Sequence, residues 1–103
     1  MKKLLFGNPV FHSGINVTCR AGLKWADTLG QTVDVADVEN EVECGEAKIV
    51  GVLVTELENI PESVLQLEHD PACRTKEGIE KELRTIYGNL SDDATITVLF
   101  FEM

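Results

Sequence analysis

Between Met1 and Ala26 the chain has no aspartate or glutamate, although the 103 residues together hold eighteen acids against nine bases. That segment carries Lys2, Lys3, Arg20 and Lys24, a local charge of +4, while everything from Asp27 onward sets five bases against all eighteen acids. Segregation of this kind speaks about partners rather than fold. Cysteine is also scarce: Cys19, Cys44 and Cys73 are an odd set with no CxxC, which excludes a disulfide framework and the close ligand pairs of zinc modules. His69 and Cys73 have helical spacing, but Pro71 lies between them, so no metal site and no other cofactor is expected. No apolar run approaches the ~20 residues of a membrane helix. MKKLLFG imitates the start of an export signal, yet Gly7, Asn8 and Pro9 stop its apolar stretch after Phe6, so a cytoplasmic protein is expected.

What remains is enough for one domain over residues 1–103. Hydrophobic residues make up 44% and mean hydropathy is −0.01, a balance that supports a packed core rather than disorder. Lys3 to Phe6 reads as a short strand. Val10 to Ala26, with Gly14 and Gly22, reads as loop and turn around a short ordered piece. Gln31 to Val38 alternates as a half-buried strand, and Glu46 to Thr55 is a β-branched strand apolar on both faces, suited to the middle of a sheet. The acidic stretch from Asp37 to Glu46 between them reads as a protruding hairpin end.

Asn59 and Glu62 have capping-box spacing for a short first helix that Pro71 must end. Thr75 caps a second, with Ile79, Leu83, Ile86 and Tyr87 as an apolar stripe, Glu77–Lys81 and Glu80–Arg84 as surface pairs, and Gly88 as its stop. Ala94 to Phe101 is the closing strand. Helices grouped between the third and last strands imply an α+β fold: a small curved sheet or partial β-barrel with two helices packed beside it.

Two stretches, GINVTCRAGLKWADTLGQTVDV and LENIPESVLQLEHDPACRTKEGIEKELRTIYGN with the ATITVLFF that follows, resemble the ASCH domain family over residues 10 to 101. The resemblance implies a PUA-like fold whose ligands are RNA or modified nucleosides, held beside the Thr-x-Arg signature. One branch of the family hydrolyses the acetyl amide of acetylcytidine with a lysine and a threonine of the signature and a glutamate near the helices. Here the threonine falls on Thr18 and the arginine on Arg20. The lysine falls on Ile15 or Asn16, and the glutamate near Ala72 or Cys73, so catalysis is left open, with Lys24 and Glu68 or Asp70 as nearby substitutes.

The candidate ligand-binding residues are Thr18, Arg20, Lys24, Trp25 and His69. Arg20 offers a planar guanidinium to a phosphate or base edge and Lys24 a point charge; alternatively both pair with the acids of Asp27 to Glu46. Trp25 either stacks on a base or plugs the sheet. Thr18 supplies a hydroxyl, without an adjacent base to make it a nucleophile. His69 either touches ligand or complements a helix C-terminus. Tyr87 is read as buried packing with an exposed hydroxyl, and Cys19 and Cys73 as small apolar groups. The expected partner is RNA, a nucleoside or a nucleotide. A basic protein recognising the acidic surface is the competing class, and extended duplex DNA is excluded by the missing basic stripe.

Overall fold

The computed structural model describes residues 2–103. Five strands form one mixed sheet: β1 (Lys3–Phe6), β2 (Ile15–Ala21), β3 (Thr32–Asp37), β4 (Glu43–Glu56) and β5 (Thr95–Glu102), in the spatial order β1-β3-β4-β5-β2. β1 runs parallel to β3, and all other neighbours are antiparallel. The α+β expectation holds, and β4 does lie centrally, between β3 and β5.

β2 is the short ordered piece that the sequence set among loop and turn, and it forms a full strand over Ile15–Ala21. Gly14 and Gly22 flank it with φ of +81° and +84°, so both glycines turn the chain into and out of the strand. The strand hides from a period-two reading because both of its faces are covered. Val17 and Cys19 join the core under the helices, with Leu57, Leu65, Ile79, Leu83, Ile96 and Val98. Asn16 and Thr18, on the opposite face, are equally buried. A second core fills the concave side of the sheet, built from Leu4, Phe6, Trp25, Val33, Val35, Ile49, Leu99 and Phe101. β4 serves both: a register shift between Ile49 and Gly51 moves its concave face from Ala47 and Ile49 to Val52, leaving Leu53 on the helix side.

Two helices stand between β4 and β5. α1 (Glu62–Leu65) is a single turn, and α2 (Lys76–Tyr87) spans three. Thr75 caps α2 through its hydroxyl, which accepts from the Gly78 N–H, and Gly88 ends it at φ +85°. The expected capping box of α1 is not formed. Asn59 belongs to a preceding 3₁₀ turn (Leu57–Asn59) and donates to the Glu56 carboxylate, while Pro61 sits at the N-cap with no side-chain bond. A proline with fixed φ was enough to start so short a helix. The α2 stripe is also narrower than its spacing implies: Ile79 and Leu83 are buried, but Ile86 and Tyr87 are 61% and 43% exposed. Of the surface pairs, Arg84–Glu80 forms at 3.6 Å; Glu77–Lys81 does not appear among the described residues.

The sheet does not close into a barrel. β1 and β2 are its two edges, and each has other uses for the groups that closure would require. On β1 the carbonyls of Lys2 and Phe6 accept from β3, so that of Leu5 faces the gap, where the Arg20 Nη1 donates to it at 2.7 Å. On β2 the Val17 N–H donates to the Leu67 carbonyl and the Val17 carbonyl accepts from the His69 N–H, at 2.8 and 2.9 Å. One side chain and one docked tripeptide thus fill the seam in place of strand pairing.

Candidate functional site

The seam is also where the polar residues converge. Because residues 67–69 bond to Val17 as an isolated parallel bridge, Glu68 and His69 are delivered beside Thr18 and Arg20, fifty positions away in sequence. Arg74 donates from Nε to the Glu68 carbonyl at 3.0 Å, and Asp70 accepts from the Ala72 N–H, which together fix the turn that follows. A cleft of about 360 Å³ opens between this segment, β1, β2 and α2. Asn8, Thr18, Arg20, Glu68, His69, Asp70, Glu82 and Tyr87 supply its polar groups; Leu5, Phe6, Val38, Ile79, Leu83 and Ile86 supply apolar wall.

Arg20 lies along the floor of the seam. Its Nε donates to the Thr18 Oγ1 at 3.3 Å, its Nη1 to Leu5, and its guanidinium carbon sits 4.8 Å from the Phe6 ring centroid. Among the described residues Nη2 has no hydrogen-bond partner, and no carboxylate lies within ion-pair distance of Arg20 or of Lys24. The acids of Asp27 to Glu46 therefore leave both cations unpaired. Burial lowers the Arg20 pKa from its ordinary value, yet a guanidinium remains charged throughout the physiological range. The Thr18 hydroxyl, having accepted from Arg20, keeps its own proton to donate.

Glu68 and His69 are both buried and lie 3.2 Å apart, Oε1 to Nε2. The His69 Nδ1 faces the Val10 carbonyl at 3.0 Å. A carbonyl only accepts, so Nδ1 carries the proton and Nε2 presents a lone pair toward Glu68. The matching partner is a protonated carboxyl. Burial pushes Glu68 up to about 8 against the opposing pull of Arg20, and burial lowers His69 to about 4. Near neutrality the pair is thus a neutral acid donating to a neutral imidazole, not a salt bridge. His69 also packs edge-on against Phe6, with ring centroids 4.6 Å apart. It does not cap a helix: α1 has already ended at Leu65.

The sequence-derived set therefore divides. Thr18, Arg20 and His69 line the large cleft. Lys24 and Trp25 line a second one of about 240 Å³, with Lys3, and the two clefts share Leu5, Arg20 and Tyr87 as their partition. Trp25 is 6% exposed and belongs to the concave core, with the Lys2 ammonium 5.3 Å from its ring centroid. A residue-by-residue match finds no acid at Ala72 or Cys73; the acidic side chains that line the large cleft are Glu68, Asp70 and Glu82. No lysine lines the large cleft; Ile15 begins β2 and Asn16 is spent on the His12 backbone. Tyr87, read as buried packing with only its hydroxyl exposed, is 43% exposed and lines both clefts.

Cys19 and Cys73 pack in the core as expected, their thiols pushed upward by burial, to about 12 for Cys73. No cluster of three metal-ligating side chains occurs among the described residues. No helix among them is long and apolar enough to cross a membrane.

An unclosed, curved α+β sheet with its cleft beside a Thr-x-Arg strand defines an ASCH-like fold. Among solved structures the chain is similar to an ASCH domain from Lactobacillus crispatus JV V101, with a TM-score of 0.65 at 10% identity over 84% of this chain and 62% of that one. It is likewise similar to a protein of Enterococcus faecalis V583 described by the DUF984 family, with a TM-score of 0.61 at 16% identity over 85% of this chain and 60% of the other. The chain thus spans about three fifths of the length of each, and the likeness is one of fold. The sequence matches no family model and no curated protein.

Proposed function

We propose that the large cleft binds a nucleobase, presented by a modified nucleoside or by an unpaired position of RNA. The observation that carries this reading is the pairing, in one apolar-walled cleft, of an unpaired guanidinium N–H at Arg20 with a carboxyl that burial keeps protonated at Glu68. A base edge offers donors and acceptors side by side. Nη2 and the Thr18 hydroxyl supply donors, and the Glu68 carboxyl supplies both roles. The volume of about 360 Å³ lies at the small end of the ~300–1,000 Å³ range of ligand pockets and suits one base better than a run of them. Tyr87 and Ile86, exposed at the rim, offer flat and apolar contact to its faces.

The resemblance to ASCH domains favours the same ligand class. It also raises hydrolysis of an acylated base, but the lysine of that chemistry has no counterpart in the cleft, and Lys24 lies beyond the Arg20–Tyr87 partition. Binding is the function the geometry supports. The competing class, a basic protein that recognises the acidic surface as it would a nucleic acid's charge, is favoured when Arg20 and Lys24 pair with neighbouring acids, and neither does so among the described residues.

Calorimetric titration of cytidine, uridine, adenosine, guanosine and N4-acetylcytidine tests the reading. At least one should bind, and Arg20→Ala should weaken it at least ~10-fold, the equivalent of about 1.4 kcal/mol. Because Arg20 also spans the seam, Thr18→Val and Glu68→Gln serve as companions, each checked for an unchanged melting profile. Equal weak binding by the wild type and all three variants refutes a base site in this cleft.

A further inference from the structure

The second cleft has a chemistry of its own. Lys3, Lys24 and Arg20 line it with Leu5, Ala21, Trp25 and Tyr87, and no acid does. This is where the acid-free character of residues 1–26 becomes spatial: all three cations come from that segment, and folding gathers them against one another. The Lys24 ammonium makes no ion pair among the described residues. Lys3 makes one, to Glu41 at 3.7 Å, but both groups are well exposed and such a pair contributes little. The Lys2 ammonium lies over Trp25, 3.4 Å from the Lys24 carbonyl and 3.8 Å from Asp27.

The neighbouring large cleft is the reverse: Glu68, Asp70 and Glu82 line it, with Arg20 as its only Lys or Arg. Arg20 and Tyr87 separate the two. A ligand crossing that partition would thus set a neutral, hydrogen-bonding part against Glu68 and an anionic part against Lys3 and Lys24. In a protein of net charge −9, a cleft without carboxylates is the place where an anion meets least repulsion.

The geometry points to a phosphate subsite in this second cleft, so that the ligand is a nucleotide: the base lies in the large cleft and its phosphate is held by Lys24 and Lys3 across the Arg20–Tyr87 partition. The inference rests on the base-binding reading for its orientation, though not for the existence of the subsite. A terminal phosphate of a mononucleotide and a backbone phosphate of RNA share this chemistry.

Trp25, the only tryptophan in the chain, lines the subsite and reports on it directly. The four common nucleosides, their 5′-monophosphates and the matching trinucleotides are titrated at low salt, following both heat and Trp25 emission. The monophosphate should bind at least ~10-fold more tightly than its nucleoside, should alter Trp25 emission where the nucleoside does not, and should lose that advantage as salt is added. Lys24→Glu, a change at an exposed side chain, should erase the advantage while the nucleoside's affinity stays within about 2-fold.

Equal affinity of nucleoside and monophosphate overturns the subsite, as does an advantage that survives Lys24→Glu combined with Lys3→Ala. A trinucleotide that outbinds the monophosphate and also loses its advantage in Lys24→Glu supports the subsite and assigns it to a backbone phosphate. Nucleoside binding without a phosphate advantage sinks this inference alone. A Trp25 response to monophosphates, lost in Lys24→Glu, with no nucleoside bound sinks the base reading alone.

Discussion

Glu68 and His69 hold one proton between them, and the buried arrangement reverses which residue owns it. In an unfolded chain between pH ~4.3 and ~6.5 the glutamate is ionised and the histidine charged. In the folded protein the carboxyl keeps its proton up to about 8, and the imidazole stays neutral down to about 4. Each state binds one proton over that lower interval, so the pair contributes no pH dependence there. Above ~6.5 the unfolded histidine gives up its proton while the folded Glu68 retains its own until about 8. The folded state then binds more protons, and stability falls as pH rises through this window, by about 2 kcal/mol in all. Urea unfolding between pH 6 and 8.5 should show that decline, and Glu68→Gln should flatten it. A profile equally steep in the variant would mean that Glu68 is not the group responsible. Thr18 and Arg20 were legible in the sequence because their types and spacing are local. The position of Glu68 was not, because the bridge that places it joins Val17 to residues fifty positions away.

The start of α2 carries a close approach that composition conceals. Gly78 lies in the first turn, where an exposed glycine ordinarily costs about 1 kcal/mol relative to alanine. Here a Cβ would collide with the Ala72 carbonyl oxygen in the 3₁₀ turn Pro71–Cys73, and would meet the capping hydroxyl of Thr75 at 3.0 Å. Gly78→Ala is therefore expected to destabilise by roughly 1–3 kcal/mol, opposite in sign to its helix propensity. Thermal denaturation of the variant checks this; a raised melting temperature would show that the turn yields freely. The sequence announced α2 through Thr75 and Gly88 because caps are local chemistry. It announced β2 only as a short ordered piece and not as a strand, since a strand buried on both faces loses the alternation that marks a half-exposed one. α1 was foreseen as a short helix but given the wrong first residue, because Asn59 and Glu62 have the spacing of a capping box without its geometry.

Across the whole molecule the charge is arranged in opposition to length of ligand. A net charge of −9 with only Lys3, Lys24 and Arg20 at the clefts leaves no track along which many phosphates can be neutralised. Under the proposed reading this favours a mononucleotide or a short exposed stretch of RNA over an extended duplex. The charge asymmetry was readable from the order of residues; its division between two clefts was not, because Tyr87 and Arg20 meet only after the helix packs against β2. The overall α+β arrangement was likewise readable from the order of elements, and the failure to close was not, since it depends on a side chain answering a backbone carbonyl.

β1 is joined to its sheet by a single parallel neighbour, and on its other side its one hydrogen bond among the described residues is that from Arg20 to Leu5. Any guest that draws the guanidinium toward itself must borrow from that fastening, while one that uses only Nη2 leaves it intact. Deuterium uptake by the amides of Leu4 to Phe6 separates these cases: protection unchanged or increased on occupancy means the latch stays shut, and faster uptake means it is the latch that the guest undoes. The least anchored strand thereby becomes a gauge of how the cleft is used.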